Sequence, residues 1–277
     1  MRNGLGDDKQ GTVLECVVNI SEGLNYAVLQ ALSHSTGPAL LDIHTDADHH
    51  RSVFTMVGTE SPRRLARHAV DVLTLHGHEG VHPRLGVVDV VPFVPLEGST
   101  FNDALLARND FAAWVANELH VPCFLYGPER SLPDIRKHAW KSLVPDVGPS
   151  TPHPTAGAMC VGVRDVLVAY NVFLNTSDMT LAEQIVRQIR RPGVRALPFL
   201  VDGFAQISMN LIDLQKVGID SAYDAVAQRA SVQRAELVGL IPRAALDAVD
   251  PTRWDQLNIG VESTIEWRID NPPTFTS

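Results

Sequence analysis

A mixed α/β (α+β) fold of two ferredoxin-like βαββαβ subdomains, with the sheets packed face to face and the helices outside, is predicted for this 277-residue chain. Three observations predict it. Strand-like and helix-like segments follow one another as βαββαβ over residues 12–94, the same order recurs over 166–241, and a Pro- and Ser-rich stretch with little periodicity joins the two. Each split βαβ unit leaves one sheet face open, and the simplest way to cover two such faces is to pack them on each other. The expected divisions are a disordered tail at 1–12, an N-terminal subdomain at 13–165 and a C-terminal subdomain at 166–270.

Each element has a local reason. Residues 12–20 read as a strand, 24–34 as a helix and 38–44 as a strand, and 51–58 is a strand rich in Val, Phe and Thr. Ser61-Pro62 suits a helix start, Leu65, Ala69, Val72 and Leu73 supply its apolar face, and Gly77 ends it. Residues 86–94 form an apolar run that reads as a strand. A helix over 100–119 keeps a stripe of Leu105, Leu106, Phe111, Trp114 and Val115, and 121–126 reads as a further strand. The joining stretch, 128–154, has one short helical pattern at 133–142. In the second unit, 166–174 is a strand and 181–190 a helix with Asp178 or Thr180 as cap. Residues 195–201 and 204–213 form a hairpin around Asp202-Gly203, a dipeptide suited to a tight turn. A helix over 220–235 and a short strand at 237–241 complete the repeat.

Composition limits the function. With 45% hydrophobic residues the chain can bury a substantial core. A net charge of −9 and the lack of a long Lys/Arg block argue against a nucleic-acid partner. Residues 1–12 are polar, which predicts no secretory signal, and no apolar run reaches membrane-spanning length, so no membrane partner and a cytoplasmic location are expected. Cys16, Cys123 and Cys160 are odd in number, far apart and each in an apolar strand-like context, which reads as buried reduced thiols.

Three polar segments stand out as candidate sites. In 77–95, His82 and Arg84 flank Pro83 in a Gly-bounded loop that feeds an apolar strand, so a strand end presents both to a pocket. In 146–157, three prolines preset the backbone while Ser150, Thr151, His153 and Thr155 offer polar tips; a binding loop and a stiff linker both fit this composition. In 42–51, Asp42 and His44 share a strand face next to Asp46, Asp48, His49 and His50. Imidazole and carboxylate can ligate a metal, but the spacing matches no ligand motif and solvated or helix-capping roles fit as well, so no metal is assigned.

The motifs Glu15-Cys16-Val17-Val18-Asn19-Ile20-Ser21-Glu22-Gly23, Leu40-Leu41-Asp42, Arg51-Ser52-Val53-Phe54, Gly80-Val81-His82-Pro83-Arg84, Gly148-Pro149-Ser150, Ala205-Gln206-Ile207-Ser208 and Leu237-Val238-Gly239-Leu240-Ile241-Pro242 fall in an order that resembles the formiminotransferase domain family. The resemblance covers about 13–246. It implies two packed α/β subdomains with a substrate tunnel between them and a homodimer. It also implies transfer of a formimino group from N-formimino-L-glutamate to N5 of tetrahydrofolate, a co-substrate. The family's active-site histidine falls on His82, as general acid/base, and its folate-binding loop on Gly148, Pro149, Ser150, Thr151, Pro152, His153, Pro154, Thr155, Ala156 and Gly157. Arg84 is then a partner for a glutamate or folate carboxylate, and Asp42 a group that orients His82 or meets the folate ring. With no helical cyclodeaminase domain following, a separate enzyme is expected to process the product. The alternatives are a non-catalytic or formyl-specific folate-binding homologue and a metal-dependent amidohydrolase built on 42–50.

Overall fold

The computed structural model describes residues 13–273, so the tail expected at 1–12 lies outside the described residues. The first sheet is built from β1 (Leu14–Ile20), β2 (Leu40–Asp46), β3 (Arg51–Val57) and β4 (Val88–Pro95). Helix α1 (Tyr26–Thr36) joins β1 to β2, and α2 (Glu60–Val72) joins β3 to β4. β1 lies between β3 and β4, antiparallel to both, and β2 pairs with β3, which is the split βαβ arrangement that the element order predicts. Helix α3 (Phe101–Trp114) opens on a capping box between Thr100 and Asp103 and runs into a π turn at Val115–Leu119.

Two further strands widen this sheet. β5 (Cys123–Tyr126) and β6 (Met159–Val163) lie parallel to each other and to β4, in the order β2-β3-β1-β4-β6-β5. β6 was not expected from the sequence, although Cys160 at its centre has the apolar context read above. Between them, α4 (Leu132–His138) covers the far face of β5 and β6 through Ile135, Phe124 and Cys160.

The second sheet holds β7 (Val168–Leu174), β8 (Val194–Val201), β9 (Phe204–Leu211) and β10 (Val232–Val238), in the order β10-β7-β9-β8 and antiparallel throughout. Its helices are α5 (Met179–Ile189), capped by Asp178, and α6 (Ile219–Ala227). Asp202 and Gly203 both take positive φ, 49° and 75°, in the β8–β9 turn, as that dipeptide requires. The helix expected over 220–235 stops at Ala227, and its last residues belong to β10. The Ala-rich run keeps a helical period in sequence. Ala235 and Leu237 are instead buried in the second core from a strand paired to β7, with a bulge between Val232 and Arg234. Beyond residue 241, α7 (Arg243–Asp247), α8 (Trp254–Leu257) and α9 (Ile265–Asp270) add Leu246, Leu257 and Ile265 to buried clusters.

Strand alternation decides what the two sheets present to each other. Cys16, Val18, Ile20, Phe54, Met56, Val91 and Phe93 pack with residues of α1, α2 and α3, so Asn19, Asp42, His44, Arg51 and Thr55 take the opposite face. Tyr170, Val172, Ile207 and Met209 pack with α5 and α6, so Asn171, Gln206, Ser208, Arg234 and Glu236 take the opposite face of the second sheet. The two polar faces meet. His44 Nε2 lies 3.8 Å from Glu236 Oε1, the Asp202 amide donates to Asp48 Oδ2 at 2.8 Å, and Leu41, Leu240 and Ile265 form a small apolar contact. The helices are outside and the sheets face each other, as the sequence predicts. Cys16, Cys123 and Cys160 are buried and unpaired, and burial pushes each thiol pKa up.

Candidate functional site

The site forms where three segments far apart in sequence are tied together at one end of the facing sheets. The 74–87 segment leaves α2 and approaches the turn between β2 and β3. Gly80 lets the two chains touch, because a Cβ there would stand 2.7 Å from the His49 carbonyl. Arg84 is the clamp. Its Nη2 donates to the carbonyls of His49 (3.1 Å) and His82 (2.8 Å), and its Nη1 donates to the His50 carbonyl (3.3 Å) and to His78 Nδ1 (2.5 Å). Nε donates to the His82 carbonyl at 3.2 Å. All five N–H groups are therefore committed within the protein. His78 Nε2 in turn reaches the Ser21 carbonyl at 2.9 Å, and His50 stacks on His78 with ring centroids 3.9 Å apart.

The 148–157 loop docks on the same segment. The Leu75 amide donates to Thr155 O at 2.9 Å, His76 Nε2 to Pro154 O at 3.0 Å, and the Val87 amide to Ala156 O at 3.0 Å. Within the loop, His153 and Gly157 exchange backbone hydrogen bonds, and His153 Nδ1 accepts from the Ala156 amide at 3.0 Å. Gly157 has φ +72°, a conformation that glycine takes without strain, and it sits against Leu85. Ser150, Thr151, Pro152 and Pro154 stay exposed while Ala156 and Gly157 are buried, so the loop presents its polar tips and anchors its end.

His82 is half-buried between these segments and the second sheet. Its Nδ1 lies 2.8 Å from the Pro83 carbonyl, which can only accept; the imidazole therefore carries its proton on Nδ1 and leaves the Nε2 lone pair open. Burial, and then the positive charge of Arg51, push the His82 pKa down to about 3, so this imidazole is neutral near pH 7. Phe199 of β8 lies against both His82 and His49, with centroid separations of 6.2 and 5.0 Å. His49 is buried, and its Nδ1 stands 2.9 Å from Asp46 Oδ2, off the hydrogen-bond direction, while its amide donates to Asp46 Oδ1 at 2.8 Å. Burial would raise the Asp46 carboxyl, but these contacts outweigh it and hold the pKa at about 2.

Of the residues singled out in the sequence, His82, Arg84 and 148–157 come together. Asp42 does not join them. It lies on β2 with Arg268 Nη2 at 3.9 Å and His44 as neighbours, and burial pushes its carboxyl up. Four residue steps, roughly 13 Å along β2, separate it from Asp46. The 42–50 cluster disperses to separate partners: Asp46 to His49, His44 to Glu236, His50 to Glu22. No group of three His, Cys, Asp or Glu side chains that could hold a metal ion is found among the described residues. The sequence reading overlooked Phe199, Asp89 and Arg136. Asp89 is buried, accepts the Leu85 amide at 2.6 Å and pairs with both terminal nitrogens of Arg136 on α4. The signal for Asp89 was an acidic residue inside an apolar strand; Arg136 and Phe199 carried none.

Two facing α/β sheets with a polar seam, and a histidine loop bound to a Pro-rich loop at its end, define a two-subdomain α/β protein with its candidate site at the end of the seam. A family model for the formiminotransferase domain, N-terminal subdomain, matches residues 13–164. The chain is 34% identical over 270 residues to a glutamate formimidoyltransferase of Streptococcus pyogenes serotype M1, covering 84% of this chain and 90% of that protein. It is 33% identical to a glutamate formimidoyltransferase of Thermoplasma acidophilum, with 85% and 90% covered. A formimidoyltransferase-cyclodeaminase of Rattus norvegicus is 33% identical over 85% of this chain, which spans 51% of that longer protein. The chain belongs to the formiminotransferase family.

Proposed function

We propose that this protein is a folate-dependent glutamate formimidoyltransferase, moving the formimino group of N-formimino-L-glutamate to N5 of tetrahydrofolate. The observation that carries the reading is the joining of the His82 segment to the 148–157 loop at the end of a polar seam between two sheets. That seam contains polar atoms with no partner among the described residues: Thr55 Oγ1 and both amide atoms of the fully buried Gln206. An unpaired buried polar group costs about 1–3 kcal/mol, so a seam with several such groups suits a polar ligand that satisfies them.

The chemistry follows from the state of His82. N5 of tetrahydrofolate attacks the formimino carbon and forms the N5–C bond, giving a tetrahedral intermediate whose N5 carries an extra proton. The neutral imidazole takes that proton on its open Nε2 and returns it to the glutamate nitrogen as the C–N bond breaks. The products are 5-formiminotetrahydrofolate and glutamate, and the imidazole ends as it began. The Pro83 carbonyl keeps the tautomer correct, and Arg84, with all its donors used on the loop, positions His82 rather than meeting a substrate carboxylate. The 148–157 loop is the folate contact.

The reading carries with it a homodimer and a cytoplasmic location. Among the described residues no helix is long and apolar enough to cross a membrane. Incubating the purified protein with tetrahydrofolate and, in parallel, N-formimino- or N-formyl-L-glutamate tests the reading. The formimino donor is expected to give a product that acid converts to the methenyl form, and silence with that donor contradicts it.

A further inference from the structure

Arg51 is the first residue of β3, paired in register with Asp46 on β2. Phe54 and Met56 lie on the helix side of the sheet, so alternation turns Arg51 to the face that meets the second sheet. Its side chain makes no hydrogen bond or ion pair among the described residues. Two acids lie within its electrostatic reach, Asp89 and Asp46. Both are already taken: Asp89 by Arg136 and the Leu85 amide, Asp46 by His49. Arg136 and Arg84 add two more positive charges nearby. Arg51 is partly exposed and none of its nitrogens is sealed from solvent, so a guanidinium at the face between the sheets, with no carboxylate hydrogen-bonded to it among the described residues, can take an anion.

The anion belongs beside His82, because Arg51 directly follows His49 and His50, the His49 ring lies 6.1 Å from the His82 ring, and Arg84 ties the His49 and His82 carbonyls together. In N-formimino-L-glutamate the α-carboxylate sits on the carbon that bears the leaving glutamate nitrogen, so it reaches the reacting centre with the formimino group. The glutamyl carboxylates of folate are separated from N5 by the whole p-aminobenzoyl group.

We propose that Arg51 binds the α-carboxylate of the formimino donor and thereby sets both donor affinity and the placing of the formimino carbon at His82. The proposal rests on the transferase reading above. It makes Arg51 a substrate-binding residue, and it supplies the carboxylate partner that Arg84 does not provide. It also links binding to chemistry, since an anion on Arg51 offsets the charge that suppresses His82 basicity and lets the imidazole accept the N5 proton more readily.

The test compares wild type, Arg51→Gln and Arg51→Lys, using N-formimino-L-glutamate and its α-amide, N-formimino-L-isoglutamine. Wild type is expected to lose about 10–100-fold in kcat/KM on α-amidation, as for a charge-assisted pair. Arg51→Gln should lose about the same factor with the natural donor and discriminate little between the two donors. Arg51→Lys should fall between, and the KM for tetrahydrofolate should stay unchanged in all three. A readout independent of turnover is thermal unfolding with added L-glutamate. Glutamate should raise the Tm of wild type and not that of Arg51→Gln. Equal discrimination between donors in wild type and Arg51→Gln, or a raised tetrahydrofolate KM with an unchanged donor KM, overturns the proposal. Loss of transfer by wild type with every donor, with glutamate still stabilising it through Arg51, instead strikes the transferase reading.

Discussion

Phe199 on the second sheet lies over His82 in the segment between α2 and β4, with ring centroids 6.2 Å apart and planes inclined by 29°. The half-buried imidazole is thus covered on one side by the second sheet. Phe199→Ala is expected to let water reach His82, raise its pKa from about 3 toward the ordinary histidine value, and lower turnover by about tenfold through misplacement. Titration of the His82 ring by NMR, with turnover measured in parallel, checks both. An unmoved titration would remove Phe199 from the site.

His82→Ala should lower kcat by about 10²–10⁴-fold with little change in the KM for tetrahydrofolate, because in the proposed mechanism the imidazole moves a proton and does not bind the pterin. The pH profile carries the sign of the depressed pKa. A base that protonates only near pH 3 stays neutral through the physiological range, so the acid limb of kcat/KM should not show the inflection of an ordinary histidine. A limb centred on the ordinary value would mean that His82 is not buried in solution as it is here.

Glu15 makes a stability prediction away from the chemistry. It is buried on β1, and burial, with Glu266 adding to it and Arg164 opposing it, pushes its pKa to about 7. The folded-state pKa lies above the unfolded one, so its favourable contribution is complete below about pH 4.5 and is lost as pH rises through about 7. Glu15→Gln keeps the shape and removes the titration. Relative to Glu15→Gln, wild type should lose roughly 3 kcal/mol between acid and mildly alkaline pH. Urea unfolding of both proteins at several pH values measures this.

Arg84 gathers four residues' acceptors onto one guanidinium, so Arg84→Ala should cost about 2–4 kcal/mol in urea unfolding and abolish most activity through the loop. Arg84→Lys should rescue little, since an ammonium cannot reproduce the planar fork that meets these acceptors together. Full rescue by lysine would show that charge rather than geometry is what the loop needs.

Much of the fold was legible because its signals are local. Asp202-Gly203 demands positive φ, Thr12 to Ile20 alternates, and α2 carries a clear apolar face, so the repeated βαββαβ order could be read directly. β6 was not, because Met159 to Val163 is short, buried on both sides and parallel to its neighbours, and such strands show no alternation. The end of α6 was misplaced because alanines suit a helix and Val232 to Val238 shows its strand character only once β7 is there to pair with it. In the site, His82 stood out by residue type, while 148–157, whose composition fitted a linker as well, was singled out by the family resemblance. Arg84 was read as a substrate group, and only the carbonyls of His49, His50 and His82 around it reveal a clamp. The pairing of Arg136 with Asp89 and the cover by Phe199 arise from contacts across 47 and more than 100 positions, which no local pattern records.

The most direct test of the account follows the atoms. N-Formimino-L-glutamate labelled with ¹³C at the formimino carbon and ¹⁵N at the imino nitrogen is incubated with the protein and tetrahydrofolate, and the folate product is weighed by mass spectrometry before any acid treatment. Formimino transfer predicts that both labels arrive together on the folate, with glutamate released unlabelled. A product with carbon label alone, or no labelled folate at all, would contradict it.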